Sequence, residues 1–347
     1  MNPTNRITLI ATVLNEGESI SRLMQSLVEQ TRQPDEIIIV DGGSRDQTVE
    51  IIQRYQDRLS VKIIVKPGCN ISTGRNTAIA AAQEGIIAAT DAGVRFPANW
   101  LEKLTQPFLD NSQIEMVGGF FLADPQTIFE AAMGATVLPV VDEINPATFL
   151  PSSRSVAFRK KVWEQIEGYP EWLDYCEDLI FDLRIKAIIP ASGFAFAHDA
   201  VVYFRPRSSL RSFYKQYYLY ARGDGKADLW RKRHLIRYVT YLVIAPLVFL
   251  IGLLIHPLFW LLYLPGAAFY LYRSYRRLPD AMNRLSEHKQ SLSAWLYALG
   301  MILVIRVVGD VAKMIGYPVG WRWRLQHQPL DWQIDPTKFI ASDDKAL

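Results

Sequence analysis

The sequence has little cysteine and little net charge. Its 347 residues include two cysteines, Cys69 and Cys176, which lack the spacing of metal ligands and do not make a disulfide framework. This favours a reduced, cytoplasmic compartment. The formal net charge of +3 is too small to indicate a nucleic-acid partner. Residues 1–6 lack the apolar region of a signal peptide, so we expect the N-terminal domain to stay on the cytoplasmic side.

Formal charges are missing from one long stretch, residues 238–272. The stretch is too long for one transmembrane helix, and it predicts two short helices with a turn near His256 and Pro257. Positive charges at both ends and none at the turn predict a hairpin whose two ends are cytoplasmic. The flanking residues are Arg231, Lys232, Arg233 and Arg237 before the stretch, and Arg273, Arg276 and Arg277 after it.

A third apolar stretch covers residues 292–305 and continues through Arg306, Asp310 and Lys313. Because a charge costs roughly 2.5–3.5 kcal/mol at mid-bilayer, this stretch either spans with its charges near one end or lies in the interface. Arg306 and Asp310 are spaced so that they can pair on one helix face. We favour the span. The predicted organisation is a catalytic domain over residues 1–235, a membrane region of two or three helices over 236–320, and a polar tail over 321–347.

The N-terminal part alternates short apolar runs with segments of helical spacing. The runs are rich in β-branched residues, which indicates strands buried on both faces of a mostly parallel sheet. This alternation predicts an α/β, Rossmann-like, doubly wound fold that binds ligands beyond the carboxyl ends of its strands. Asn15 and Glu18 resemble a capping box at the start of the first helix. The predicted strands are 7–13, 37–40, 61–65 and 86–90, with a further one at 116–121.

Polar residues cluster at the ends of the predicted strands. Taken singly, they are typical of turns and helix caps. At successive ends of one sheet, however, they are expected to converge on one crevice. They are Asn15 and Glu16 after the first strand, Asp41 after the second, Arg75 and Asn76 early in the third helix, and Asp91 at the end of the fourth strand.

Two acidic positions suit chemistry on a diphosphate. Asp91 closes an apolar strand, and far downstream Glu177 and Asp178 open a helix-like stretch. One carboxylate can hold a metal–diphosphate while another removes a proton. The alternative is structural, because acidic residues in the first turn of a helix are favoured by the helix dipole.

Several motifs together resemble the family 2 glycosyltransferases, which are inverting enzymes with the GT-A fold that use nucleotide sugars. Each motif alone is weak, but the combination is specific, and the resemblance covers roughly residues 5–225. The motifs are Thr12-Val13-Leu14-Asn15-Glu16, Val40-Asp41-Gly42-Gly43-Ser44-Arg45-Asp46-Gln47-Thr48, Gly74-Arg75-Asn76, Thr90-Asp91-Ala92-Gly93, and the turn Gly168-Tyr169-Pro170 ahead of Glu177-Asp178.

The resemblance implies a role for each matching residue. Asp178 would be the general base that takes a proton from an acceptor hydroxyl, and Glu177 would support acceptor binding. Asp91 would hold a divalent cation on the diphosphate, and hard oxygen ligands suit Mg²⁺ or Mn²⁺. The family usually has a second acidic residue where this chain has Gly93, so Asp91 acts alone or with another group such as His198. The nucleotide-sugar contacts would come from Thr12, Asn15, Glu16, Asp41, Arg75 and Asn76.

Arg222 is a further candidate for donor binding. It stands six residues after Gln216 with no Trp following, so the Gln-x-x-Arg-Trp motif of processive members is missing and processive polymerisation is not supported. Arg222 either reaches the donor diphosphate or belongs to an interfacial helix in which aromatic and basic residues interleave.

The whole sequence predicts a membrane-anchored, inverting glycosyltransferase of the cell (inner) membrane with a cytoplasmic catalytic domain. It would move a sugar from a nucleoside diphosphate donor to a lipid-linked or membrane-proximal glycan acceptor, in cell-envelope glycan or glycolipid synthesis. A membrane anchor favours such an acceptor because it raises the effective concentration of lipids. The alternatives are a polyprenyl-phosphate sugar synthase, a non-catalytic nucleotide-sugar-binding membrane protein, and a membrane scaffold that uses residues 208–316.

Overall fold

The computed structural model describes residues 5–83, 85–285 and 291–334, which form two compact units. The first unit contains the described residues up to 122, those from 141 to 204 and those from 330 onward. The second unit contains residues 123–140 and the described part of 205–329. This division differs from the predicted boundaries at 235 and 320, because residues 123–140 and 205–235 group with the C-terminal helices.

One mixed sheet organises the first unit. Its strands are β1 (Ile7–Val13), β2 (Glu36–Asp41), β3 (Val61–Val65), β4 (Ile86–Asp91), β5 (Val94–Arg95), β6 (Met116–Ala123), β7 (Val156–Arg159) and β8 (Phe194–Phe204). They lie in the order β3-β2-β1-β4-β7-β6-β8-β5. β1 pairs in parallel with β2 and β4, and β2 pairs in parallel with β3. The pairs β4–β7, β6–β7 and β5–β8 are antiparallel.

The parallel half of the sheet determines where the site lies. Its register places Thr12 opposite Asp91, and Val13 opposite Asp41. The carboxyl ends of β1, β2 and β4 therefore meet at one edge, where ligands bind in sheets of this kind. The predicted GT-A fold is confirmed. The three antiparallel pairs, β4–β7, β6–β7 and β5–β8, make the sheet mixed rather than mostly parallel.

The helices follow the strands in alternation through the first half of the chain. They are α1 (Glu18–Val28), α2 (Thr48–Gln53), α3 (Ile71–Ala81), α4 (Trp100–Asp110), α5 (Ile128–Val137), α6 (Lys160–Gln165), α7 (Glu177–Ile188), α8 (Leu210–Ala227), α9 (Arg231–Val239), α10 (Ala245–Leu254), α11 (Tyr263–Asn283) and α12 (Leu292–His327). The predicted capping box of α1 is wrong, because Gly17 is the N-cap residue and no side chain caps this helix. The side chain of Asn15 instead accepts a hydrogen bond from the backbone of Arg45 at 2.9 Å.

Both faces of the sheet are buried, as the continuous apolar runs predict. Successive side chains of a strand point to opposite faces. Leu9 and Ala11 accordingly lie in one core cluster with Leu23 of α1, whereas Ile10 lies in a second cluster with Ile79 of α3. This packing holds β1 between α1 and α3, the two helices whose first turns border the polar edge.

The second unit contains the uncharged stretch and α12. The chain is helical from Arg231 to Leu254, through a π-helical segment at Thr240–Ile244, and resumes as a 3-10 helix at Pro257–Leu262 before α11. The predicted break near His256 and Pro257 is therefore confirmed. Residues 231–254 and α12 are each long and apolar enough to cross a bilayer, by length and composition.

Two details of α12 differ from the sequence-based expectations. Asp310 does not pair with Arg306; its Oδ1 accepts from Arg237 Nε at 2.7 Å, and Arg306 lies over the ring of Tyr270. Because Arg237 comes from another helix, spacing along α12 could not indicate it. The helix also continues to His327, into the predicted polar tail, and the end of that tail, 335–347, lies outside the described residues.

Candidate active site

One buried arginine joins the end of β4 to the start of α7. Arg75, on α3, is 3% exposed. Its Nη1 donates to Glu177 Oε1 at 2.7 Å, and its Nη2 donates to Asp91 Oδ1 at 3.0 Å. Its guanidinium also lies over the ring of Tyr169, 5.3 Å from the centroid. Three predicted site residues that are distant in the sequence, Arg75, Asp91 and Glu177, are therefore in direct contact.

A second guanidinium, that of Arg154, faces the other oxygen of Asp91. Its Nε lies 3.3 Å from Asp91 Oδ2, and its Nη1 donates to Ser152 Oγ at 3.1 Å. The side chain is 25% exposed and lies over the ring of Phe204. Arg154 was not predicted as a site residue, because it comes from an irregular segment whose sequence has no helical or strand period.

The carboxyl group of Glu177 is held in an unusual electrostatic environment. Burial and the neighbouring charge of Asp178 raise the pKa of Glu177 to about 7, although Arg75 opposes the shift. Burial disfavours the charge on Arg75, but Glu177 and the other acidic neighbours raise the pKa of Arg75 overall. Groups whose pKa is shifted in this way concentrate at functional sites. Glu177 therefore holds a proton more readily than an ordinary glutamate while it remains in contact with Arg75.

Asp178 lies in the first turn of α7, where the helix dipole favours a carboxylate. Its Oδ1 accepts a hydrogen bond from the N–H of Leu179 at 2.9 Å. The chain enters this helix through Cys176, which has a left-handed φ of 65°. For a residue other than glycine such a conformation costs on the order of 1–3 kcal/mol, and it is often found at functional sites.

Asp182 lies one helical turn beyond Asp178 and was not predicted. It is 2% exposed, and among the described residues its Oδ2 has no hydrogen-bond partner. Burial, followed by the charge of Asp178, raises the pKa of Asp182 well above its ordinary value. The spacing of four residues from Asp178 is the signal in the sequence that could have indicated this position.

At the carboxyl end of β2, Asp41 organises the following turn. It is 1% exposed, and its Oδ2 accepts from the N–H groups of Gly43 and Ser44, both at 2.9 Å. Its Oδ1 accepts from Ser44 Oγ at 2.5 Å. Gly43 has a φ of 95°, which glycine adopts without strain. The predicted contact of Asp41 with the nucleotide stays a prediction.

The loops after β1 and β2 form one hydrogen-bonded layer. The N–H of Asn15 donates to Ser44 Oγ at 2.8 Å, and the N–H of Glu16 donates to Thr48 Oγ1 at 2.9 Å. The Oε2 of Glu16 accepts from Ser19 Oγ at 2.6 Å. Asn15 and Glu16 therefore lie beside Asp41 at the same edge of the sheet, and their predicted contacts with the nucleotide stay predictions.

Close packing between β1 and α3 brings Thr12 into this layer. A Cβ at Gly74 would lie 2.5 Å from Thr12 Cγ2, so only glycine fits at this position without movement. The Oγ1 of Thr12 is buried and has no hydrogen-bond partner within the described chain. Gly74 thus allows Arg75, the next residue, to approach β4. The predicted nucleotide contact of Thr12 stays a prediction.

The amide of Asn76 holds the turn at Gly168 and Tyr169. Its Nδ2 donates to Tyr169 O at 2.9 Å and to Glu171 Oε1 at 3.0 Å. Its Oδ1 accepts from Trp163 Nε1 at 3.1 Å and from the N–H of Tyr169 at 2.9 Å. Asn76 therefore positions Tyr169, which in turn contacts Arg75. Its predicted contact with the donor stays a prediction.

Two other candidates come from the second unit and from β8. Arg222 is on α8, in the second unit, and its contact with a diphosphate stays a prediction. His198 lies on β8, six residues before Phe204, which pairs with Val94. Six residues of strand span about 20 Å, so His198 is not supported as a second metal ligand beside Asp91. Within residues 5–83, 85–285 and 291–334, no group of three His, Cys, Asp or Glu could hold a metal ion.

A divalent cation can nevertheless fit beside Asp91 if the substrate completes its ligands. The Asp91 side chain is 29% exposed, and a Cβ at Gly93 would meet nothing within 4 Å. Mg²⁺ is usually bound by one or two carboxylates together with substrate phosphates and water. A single carboxylate with open space beside it therefore suits Mg²⁺ or Mn²⁺ that arrives with a diphosphate.

Comparison with known proteins agrees with this geometry. Residues 8–131 match the family model "Glycosyl transferase family 2". The chain is 25% identical over 225 residues to the O-antigen chain rhamnosyltransferase RfbN of Salmonella typhimurium. This alignment covers 61% of this chain and 70% of RfbN. The chain is also 26% identical over 191 residues to the O-antigen chain rhamnosyltransferase WbaN of Salmonella anatum. This alignment covers 51% of this chain and 60% of WbaN.

Among solved structures, the chain is similar to the mannosyltransferase PcManGT from Pyrobaculum calidifontis in complex with GDP-Man and Mn²⁺. The sequence identity is 17% and the TM-score is 0.49, over 94% of this chain and 88% of that one. The family match covers β1 to β6, including the end of β4, and the glycosyltransferase relatives extend it. The chain therefore contains a family 2 glycosyltransferase domain and is a glycosyltransferase.

Proposed function

We propose that this enzyme transfers a sugar from a nucleoside diphosphate donor to a hydroxyl group of a lipid-linked or membrane-proximal acceptor, with inversion at the anomeric carbon. The observation that carries the proposal is the double contact of Arg75 with Asp91 and Glu177. This contact puts a carboxylate suited to the donor diphosphate next to an acidic pair suited to the acceptor.

The proposed reaction uses Asp178 as the base. The acceptor oxygen bonds to the anomeric carbon, the bond from that carbon to the diphosphate breaks, and Asp178 takes the acceptor proton. Arg75 and Arg154 flank Asp91, where their positive charge favours the departing diphosphate. A divalent cation held by Asp91 would supply further positive charge there.

The donor is proposed to lie across the layer formed by the loops after β1 and β2. Its nucleotide would contact Thr12, Asn15, Glu16 and Asp41, which share one edge of the sheet. Its diphosphate would extend toward Asp91 at the end of β4. This orientation places the anomeric carbon on the side of α7, where Asp178 lies.

The acceptor class is proposed from the relatives and from the second unit. RfbN and WbaN are O-antigen chain rhamnosyltransferases, which supports a role in cell-envelope glycan synthesis. Two helices with the length and composition of membrane spans support attachment to a membrane. The basic residues that flank the uncharged stretch support a cytoplasmic position for the first unit. A lipid-linked acceptor would then be concentrated near the site.

The test is nucleotide release and sugar transfer by the full-length protein in detergent. A panel of nucleotide sugars would be offered with native lipid extract and with Mg²⁺, Mn²⁺ or EDTA, beside Asp91→Ala, Asp178→Asn and the exposed control Asp57→Asn. We expect transfer from one donor, lost in the first two variants and kept in the control. Donor binding by calorimetry without turnover under any condition would contradict the proposal. Full activity of Asp178→Asn would instead favour a polyprenyl-phosphate acceptor, which needs no strong base.

A further inference from the structure

The second unit contains a small cavity lined by unpaired positive charge. Its volume is about 100 Å³, well above the roughly 15 Å³ that one water molecule needs. Side chains of α5, α8 and α12 line it, and we call it the basic cavity. Its lining includes Thr136, Phe213, Ile305, Arg306, Gly309 and Lys313.

The acidic residue of the cavity is already neutralised. Asp310 accepts from Arg237 Nε at 2.7 Å, from the hydroxyl of Tyr270 at 2.6 Å and from that of Tyr241 at 3.2 Å. Asp310 is 9% exposed, so this arrangement satisfies a buried carboxylate with one cation and two hydroxyl groups. Among the described residues, neither Arg306 nor Lys313 has a carboxylate within ion-pair distance, and the charges of Asp310 and Asp224 act on Lys313 from farther away.

The two remaining cations are held by aromatic rings rather than by acids. Arg306 lies 4.4 Å from the ring centroid of Tyr270, and its Nη2 donates to the carbonyl of the same residue at 3.4 Å. The Nε of Arg306 is buried and has no acceptor in the part of the chain that the structure describes. The Nζ of Lys313 lies 4.8 Å from the ring centroid of Tyr217. Charges taken out of water require a counter-charge, so the cavity is suited to an anion.

The position of the cavity along its helices indicates which anion it meets. On α12 the apolar stretch 292–305 ends directly before Arg306, and on α9 the basic segment ends at Arg237, directly before the uncharged stretch. The contact between Arg237 and Asp310 puts both transitions at one level. If the helix at 231–254 spans, this level is the boundary between the hydrocarbon layer and water, where the phosphates of lipids lie.

We propose that the basic cavity binds the phosphate group of a membrane lipid through Arg306 and Lys313. Guanidinium and ammonium groups form strong charge-assisted hydrogen bonds with phosphate oxygens. Ile305 and Phe213 give the cavity apolar walls that can contact the start of an acyl chain. The proposal depends on the membrane position of the second unit and not on the catalytic role proposed for the first.

The experiment measures thermal unfolding of full-length protein in a neutral detergent at constant ionic strength. Three probes are compared: dihexanoyl phosphatidic acid, dihexanoylglycerol and inorganic phosphate. We expect only the phosphatidic acid to raise Tm in a saturable manner. An equal effect of dihexanoylglycerol would show apolar binding alone, and an equal effect of inorganic phosphate would show a free-anion site; either would overturn the proposal.

Matched variants separate the cavity from general surface charge. Arg306→Gln with Lys313→Gln should weaken the apparent affinity for phosphatidic acid by at least about tenfold. Arg273→Gln with Arg276→Gln removes two exposed cations from α11 of the same unit and should leave it unchanged. Lys313→Gln alone is the second test if the double variant does not fold, and Lys313→Arg should keep binding. Unchanged affinity in the cavity variants, or an equal loss in the α11 variants, would overturn the assignment.

Discussion

We expect Arg75→Met to destabilise the first unit in a pH-dependent manner. Arg75 is 3% exposed and pairs with both Asp91 and Glu177. Removing it leaves the carboxyl group of Glu177, 6% exposed, next to Asp178 without its cation. Truncating one partner of a buried ion pair costs about 3–5 kcal/mol when the other partner stays charged.

The pKa of Glu177 determines how that loss varies with pH. The value of about 7 lies above the ordinary 4.5, so the proton on Glu177 stabilises the folded state below pH 4.5, and this contribution is lost as the pH rises through 7. Without Arg75 the pKa of Glu177 rises further, so the stabilising contribution of its proton is lost at a higher pH. At pH 6 we expect Arg75→Met to lower the free energy of unfolding by about 1–3 kcal/mol, because a hydrogen bond to a mostly protonated carboxyl is lost. At pH 8 we expect it to lower the free energy of unfolding by about 3–5 kcal/mol.

The assay is urea unfolding of the full-length protein in detergent, followed by tryptophan fluorescence at pH 6 and pH 8. The matched control is Arg154→Met, which removes the other arginine beside Asp91; because it is 25% exposed, its loss should stay below about 1 kcal/mol. Adding Glu177→Gln to Arg75→Met should recover part of the loss at pH 8. Equal losses at both pH values, or a double variant no more stable than Arg75→Met, would refute the reasoning.

Three further predictions follow from the same site. Gly74→Ala should destabilise by about 1–3 kcal/mol in urea, because its Cβ would lie 2.5 Å from Thr12 Cγ2. Thr12→Ser should recover part of that loss, and an unchanged loss in this background would contradict the contact. Asp178→Asn should lower kcat for sugar transfer by about 10²–10⁴ with little change in donor KM; an unchanged kcat would exclude it as the base. Asp182→Asn should change stability at neutral pH by less than about 1 kcal/mol, since its environment favours the uncharged form. The wild type should lose stability as the pH rises through the raised pKa of Asp182 and the variant should not, so parallel pH profiles would contradict this assignment.

The polar edge of the sheet could be predicted because parallel strands buried on both faces have a recognisable pattern. The runs at 7–13, 37–40 and 86–90 are short, apolar and β-branched, and their carboxyl ends meet at one edge. The approach of Asp41 and Asp91 to this edge follows from that pattern alone. The contact of Arg75 with Glu177 does not, since it joins residues from distant parts of the sequence.

The roles of neighbouring residues were harder to separate. Arg75 and Asn76 are adjacent on α3, and adjacent residues of a helix do not face the same direction. Arg75 faces Asp91, so Asn76 faces the turn at Tyr169, and its amide forms hydrogen bonds there. A sequence motif contains both residues equally, and only the direction of each side chain assigns one to the crevice and the other to the turn.

The same limit explains the interhelical contact of Asp310. Its spacing from Arg306 permits a pair within α12, yet a guanidinium from α9 is the partner. Local spacing shows which pairs are possible within one helix, but it carries no information about a neighbouring helix. This change of partner leaves Arg306, which lines the basic cavity, without the acid that the sequence suggested.

Gly93 removes one negative charge from the proposed catalytic site, relative to the pattern of the family. Asp91 faces two guanidinium groups, and the two are not equivalent. Arg75 is buried, lies 3.0 Å from Asp91 and is also held by Glu177. Arg154 is more exposed, and its Nε lies 3.3 Å from Asp91 Oδ2. We expect Arg154 to be the one that turns from Asp91 toward phosphate oxygens when a donor binds. Arg75 would then keep Asp91 and Glu177 at a constant separation. We therefore expect one carboxylate and two arginines to suffice where the donor's own phosphates complete the site.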